Sequence, residues 1–364
     1  MENRINKYFD YIVTNGLNLQ KGQIVEIVGS SYINNYILDI KQACLKAGAS
    51  FVYIKFTDGD ELQNKISNGY HNYILDEIKH YKDLISKEFT RIVLTSPFTI
   101  PLPLSKNDIL EYQNCQRELS FVNDYFKNLE SQRTIAAVAN CYWAAKLQIT
   151  EDELWNIIFS FQERKSNINL NWLNSLNIKK LKFETKLGTS LNVELTDDFI
   201  FQSKFLYTKN LIKFEPNIPC VEVYTSPIKY GINGILYSSK PLYYKGHVID
   251  NYYVKFKDGH VIDQTLSDLI MVDDTMYYAG EIALVNLFDK KNYYATILNE
   301  NTGCHLALGY AYEYGIKDLR LINNSDHHVD LVFGDDSTNC IGITRNGERI
   351  VLFENGKYVG VLND

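Results

Sequence analysis

The chain lacks any apolar run approaching the roughly 20 residues that a membrane-spanning helix needs. Charges are scattered even through its opening, "MENRINKYFDYIV", so no signal-peptide core is expected there. Positive charge is not in excess either. A net charge of −7 argues against nucleic acid or an anionic membrane as a main partner. The six cysteines (Cys44, Cys115, Cys141, Cys220, Cys304 and Cys340) form no CxxC pair and lie far apart. They read as buried free thiols in a reducing cytoplasm, not as a disulfide framework. No GxGxxG, P-loop, GxSxG or HExxH motif occurs, which removes the commonest nucleotide, serine-hydrolase and single-zinc signatures. What is there is a chain of 364 residues, 45% hydrophobic and 22% charged, the profile of a soluble globular protein with room for two cores.

The first half alternates helix and strand patterns. "NRINKYFDYIVTNGL" has apolar residues at helical spacing up to Gly16, and "QIVEIVGS" reads as a strand. "YINNYILDIKQACLKAGA" then reads as a helix, "SFVYIKF" as a strand, "HNYILDEIKHYKDLISKEF" as a helix and "TRIVLTS" as a strand. The prolines of "SPFTIPLPLS" mark a loop before a helix near 106–130 and a strand at "TIAAVAN". "TEDELWNIIFSFQ" carries a capping box, Thr150 with Glu153. This βαβ alternation implies a mostly parallel sheet flanked by helices. His71 and His80, in the helical region, read as surface residues. From about residue 178 the character changes: "KKLKFETKLGTSLNVELTDDFIF" alternates with period two, and long helical patterns become scarce. The expectation is an α/β N-terminal domain, 1–175, and a β-rich α+β C-terminal domain, 176–364.

"NNSDHHVDLVFG", Asn323 to Gly334, reads as a strand that carries His328 and Asp330 on one face. Residues two apart in a strand share a side, so Val329, Leu331 and Phe333 form the opposite, core-like face, and His327 points away with them. Alone, the pattern also fits a half-exposed edge strand with a wet polar side. Three other segments place an acid or histidine beside small residues. They are "EPNIPCVEVYTSP" with Glu222, "YYAGEIALV" with Glu281, and "LNENTGCHLALGYAY" with Glu300 and His305. Each has an ordinary structural reading: a solvated strand residue, the start of an edge strand, a turn cap, a satisfied core histidine.

Taken together and in order, these segments resemble the aminopeptidase T family of dinuclear metallopeptidases. The family pattern N-x-P-x-x-E-V-[FY]-T-x-P is matched by "NIPCVEVYTSP", and G-E-[IV]-A-L-V by "GEIALV". E-N-x-x-C-H-[IL]-A-L-G-x-A-Y is matched by "ENTGCHLALGYAY", and N-x-S-x-x-H-x-D by "NNSDHHVD". Weaker likeness in "GLNLQKGQIVEI", "KAGASFVYI" and "GTSL" extends it over essentially the whole chain.

The resemblance implies that Glu222, Glu281, Glu300, His305, His328 and Asp330 bind two divalent metal ions; one carboxylate can bridge such a pair, and Glu281 is the one expected here. The resemblance also implies that Tyr312 is the active-site tyrosine, so that Tyr312 and Glu281 are the catalytic candidates. Four carboxylates, about −4, balance two divalent cations. Mixed oxygen and nitrogen donors suit Zn²⁺, Co²⁺ or Mn²⁺ better than calcium. Cys304 falls on the strand face opposite His305 and reads as core. The implied activity is release of N-terminal residues from short peptides by a cytoplasmic homodimer. Two departures matter. The loops between Glu281 and Glu300 and between His305 and His328 are tighter than in typical members, and the proline–tryptophan surroundings late in the first half are only partly present, around "NCYWAAKL". Substrate preference is therefore open. A specialised amide hydrolase of a dedicated pathway, or a catalytically silent peptide-binding relative, stays beside the peptidase reading.

Overall fold

The computed structural model describes residues 1–362 except residues 59, 99–105, 245–246, 267 and 269. The proline-marked loop around Pro97, Pro101 and Pro103 falls largely outside the described residues. The chain divides into two compact units, Met1–Glu163 with Phe205–Pro219, and Arg164–Lys204 with Cys220–Asp364.

The first unit is built on a parallel five-stranded sheet. Its order is Asn217–Ile218, Arg133–Ala137, Thr90–Thr95, Ile24–Gly29 and Phe51–Phe56. Helices Asn34–Ala47, His71–Ser86 and Glu151–Gln162 lie between or after the strands where the apolar periodicity put them. The capping box is formed: Thr150 Oγ1 accepts from the Glu153 amide at 3.2 Å, and Glu153 Oε2 accepts from the Thr150 amide at 2.7 Å. The helix expected near 106–130 is two, Lys106–Arg117 and Ser120–Lys127. At the break the amides of Glu118 and Leu119 bond three residues back, a tighter turn that carries Leu119 and Val122 into one apolar cluster. His71 and His80 are exposed, His71 with Nδ1 2.8 Å from Glu111.

The second unit is strand-rich. Eight antiparallel strands form its larger sheet, with the hairpin Ile178–Glu184 and Ser190–Leu195 at the centre. The smaller sheet runs His328–Val332, His305–Gly309, Ala279–Leu284, Val223–Thr225 and Gln202–Ser203, again antiparallel. One apolar core serves both sheets. Leu181, Phe183, Leu191 and Val193 of the larger join Ile282, Leu284, Leu306, Leu308, Val329 and Leu331 of the smaller. Burial of one face against a second sheet fixes the register, because a one-residue slip would turn every one of these side chains out of the core. The smaller sheet's other face is left to carry chemistry.

Candidate metal centre

Pairing in the smaller sheet aligns Glu281 with Ala307 and Ala307 with Asp330. Directly opposed residues share a face. His305 lies two residues before Ala307, and His328 two before Asp330, so all four chemical side chains emerge on the side opposite the core. Between them the middle strand offers only Ala307 and Gly309, which leaves room above the sheet. Gly309 is also required by its backbone: φ is +96°, and a Cβ there would collide with the His327 carbonyl. Glu222 precedes the neighbouring strand and completes the group.

The distances divide the cluster into two halves joined by Glu281. His305 Nε2 lies 3.0 Å from Glu222 Oε2 and 3.6 Å from Glu281 Oε1. His328 Nε2 lies 3.3 Å from Glu281 Oε2 and 3.2 Å from Asp330 Oδ1. Donor atoms of Glu222, Glu281 and His305 all fall within 4.8 Å of one another, as do those of Glu281, His328 and Asp330. Glu300 is buried and borders the second half, where Asp330 is among the charges acting on its carboxyl. Both imidazoles turn Nδ1 to a backbone carbonyl, His305 to Gly303 at 3.3 Å and His328 to Tyr310 at 3.2 Å. In the neutral ring that contact favours the tautomer with Nδ1 protonated and Nε2 turned inward.

The electrostatics are those of a site with surplus negative charge. Burial raises the Glu222 carboxyl above the ordinary range despite His305, and raises Glu300 well above it. Burial acts the same way on Glu281, but the imidazoles of His305 and His328 beside it outweigh burial and hold that carboxyl low. Asp330 is likewise held low by His328 against the effect of burial. Burial alone would discharge the two imidazoles, yet Glu222 and Glu281 at His305, and Asp330 and Glu281 at His328, push both well upward. His305 Nε2 is fully buried and makes no hydrogen bond of good geometry among the described residues. An orphaned imidazole nitrogen facing two carboxylates is the donor set a divalent cation satisfies, and the residues fit such an ion.

Each residue singled out from the sequence can now be located. Glu222, Glu281, His305, His328 and Asp330 come together, and Glu300 lies at their edge. The apolar side of the His328 strand is core as expected, with Val329, Leu331 and Phe333 buried. His327 leaves the cluster, but it meets Asp273 at 3.4 Å and is half-exposed, not packed with the apolar set. It precedes the strand, so the alternation does not bind it. Cys304 is core, its thiol donating to the Val285 carbonyl at 3.6 Å. All six cysteines are free, and Cys141 alone is exposed. Tyr312 stands beside the cluster, its ring centroid 5.8 Å from that of His328. Burial beside Glu281 keeps its phenol protonated, well above the usual range. One neighbour escaped the sequence reading: Tyr224, buried, with its ring 4.9 Å from Tyr312. It lies two residues after Glu222, and it pairs with Ala283, which pairs with His305. Its place on this face follows from the cross-strand pairing, which the sequence alone does not show.

The family model described as thermophilic metalloprotease (M29) matches residues 1–358. The chain belongs to this family. As an M29 metalloprotease it is a metal-dependent peptidase. Among curated relatives, Aminopeptidase 2 of Geobacillus stearothermophilus is 28% identical over a 413-residue alignment covering 98% of each chain. Aminopeptidase AmpS of Bacillus subtilis (strain 168) is 25% identical over 407 residues, again with 98% of each covered. Among solved structures, wild-type AmpT from Thermus thermophilus shares the fold, with a TM-score of 0.83 over 99% of this chain and 100% of that one at 21% identity. These likenesses agree with the α/β first half and strand-rich second half read from the sequence. Among the described residues, no helix is long and apolar enough to cross a membrane.

Proposed function

We propose that this M29 metallopeptidase acts as an aminopeptidase on short peptides through a centre of two divalent ions. Glu222, Glu281, His305, His328, Asp330 and Glu300 hold the ions, and Glu281 is shared. The observation that carries the reading is the division of the Glu281 carboxylate, Oε1 toward His305 and Oε2 toward His328. A carboxylate turned to both halves in this way could serve two ions, which together would supply the Lewis acidity of a two-metal hydrolase. The names of the aminopeptidase relatives support the bond cleaved.

Bound divalent ions supply Lewis acidity, polarising a carbonyl and lowering the pKa of water. The chain's own groups do the rest. Binding of the free peptide N-terminus at the centre would restrict attack to the first bond. A carboxylate of the cluster takes the proton from water as general base. The Tyr312 hydroxyl, kept protonated by burial, donates to the oxyanion that forms. Glu300, whose carboxyl burial raises well above the ordinary range, would be the sixth donor. The reading includes a cytoplasmic homodimer, checked by light scattering and fractionation, and Zn²⁺, Co²⁺ or Mn²⁺ as the ions.

A fluorogenic panel of aminoacyl amides, with and without added Co²⁺ or Zn²⁺, tests the proposal. Metal-dependent turnover of ordinary amides is expected. Metal binding without turnover would point instead to a specialised amide hydrolase or a silent peptide-binding relative.

A further inference from the structure

We propose that Cys220 is a positioning residue for Glu222, its thiol donating to the carboxylate oxygen that faces away from His305. The inference rests on the metal-centre reading above. Cys220 Sγ lies 3.7 Å from Glu222 Oε1, within reach of a sulfur hydrogen bond, while Glu222 Oε2 lies 3.0 Å from His305 Nε2. The two oxygens therefore have different partners, one a donor and one the inward nitrogen of a buried imidazole.

The terminal torsion of a glutamate has a broad, roughly two-fold profile. A carboxylate at the edge of a cluster needs an outer contact to fix which lone pairs point inward. The backbone here is already pinned. The Val221 amide donates to Asn301 Oδ1 at 2.6 Å, and the Ser203 hydroxyl donates to the Glu222 carbonyl at 2.9 Å. Those bonds set where the side chain starts, and the thiol sets how its end is turned. An S–H is a weak donor to neutral acceptors, but a buried carboxylate strengthens the bond by its charge. The fully buried His305 Nε2, without a hydrogen bond of good geometry, is the independent sign that the inward oxygen has a ligand to share.

The alternative is that Cys220 is only a small buried hydrophobe. Threonine and valine have nearly the same shape, and only threonine can donate. The test compares Zn²⁺ dissociation constants, by chelator competition on the full chain, for wild type, Cys220→Thr and Cys220→Val. The expected result is a 10–100-fold weakening in Cys220→Val, the usual loss when an outer partner of a metal ligand is removed, with Cys220→Thr close to wild type. Equal affinities in the two variants would overturn the proposal and return Cys220 to packing. Should valine prevent folding, the Cys220→Ser and Cys220→Ala pair asks the same question, with serine expected to bind the more tightly. A wild type that binds no Zn²⁺ would overturn the metal-centre reading and this inference together. The threonine–valine difference, found in a protein that hydrolyses no peptide, would uphold this inference and count against the peptidase reading alone.

Discussion

In the first unit Glu26 is buried in a parallel strand, yet its carboxylate accepts from Arg91 Nε at 2.6 Å and from the Tyr81 hydroxyl at 2.9 Å. Tyr81 in turn accepts from Lys55 Nζ at 2.8 Å, and Lys55 lies 3.3 Å from Glu77. The rings of Tyr81, Phe89 and Phe126 surround the Arg91 guanidinium. In the second unit Glu222, Glu281, Glu300 and Asp330 share two imidazoles. Both clusters take ionisable groups out of water, which is costly unless charge is matched. The first supplies its own cations and so belongs to the fold. The second is short of positive charge, which the proposed metal ions would supply.

Variants that disturb each cluster should part along that line, beginning with the largest effect. His328→Ala removes an inward nitrogen, and both activity and bound metal should be lost. His327→Ala should keep both, since its ring meets Asp273 outside the cluster. Metal analysis of the two purified variants decides the matter, and the reverse ranking would put the strand register out by one residue. Tyr312→Phe keeps the ring and drops the hydroxyl. kcat should fall about 10²–10³-fold with metal content unchanged, while Tyr310→Phe and Tyr314→Phe stay near wild type in the same assay. Wild-type turnover in Tyr312→Phe would leave that residue a packing role only.

The first unit's cluster should answer in stability instead. Arg91→Met strands the buried Glu26 carboxylate and should cost about 3–5 kcal/mol in denaturant unfolding, without loss of metal from the second unit. A variant that unfolds normally but sheds its metal would erase the distinction between the clusters. Smallest is Thr150→Ala, which breaks the capping box. It should lower stability by about 1 kcal/mol and leave kcat and metal content untouched.

The sequence shows elements where one face is wet and one dry. The His328 strand was legible because Val329 and Leu331 alternate with the polar pair. So were the long helices of the first half, whose apolar periodicity and caps are local. Glu281 carried no such signal, because its strand, Ala279–Leu284, is buried on both faces and shows no period of two. It stood out only as an acid beside small residues, and the family segment gave it a role. The two-residue strand Asn217–Ile218 is too short to leave a pattern, so nothing local marks the return of Phe205–Pro219 to the first unit. The contact of Cys220 with Glu222 was hidden for a similar reason: the segment before Val223 is irregular, and side-chain direction there depends on tertiary packing.

Metal stoichiometry tests the central claim most directly. The protein is stripped by dialysis against a chelator, reconstituted with Zn²⁺ or Co²⁺, and analysed for metal alongside aminoacyl-amide turnover. The account predicts that stripping abolishes turnover and that it returns as occupancy approaches two ions per chain. Saturation at one ion would contradict the shared role of Glu281, and full activity in the stripped protein would contradict the metal centre itself.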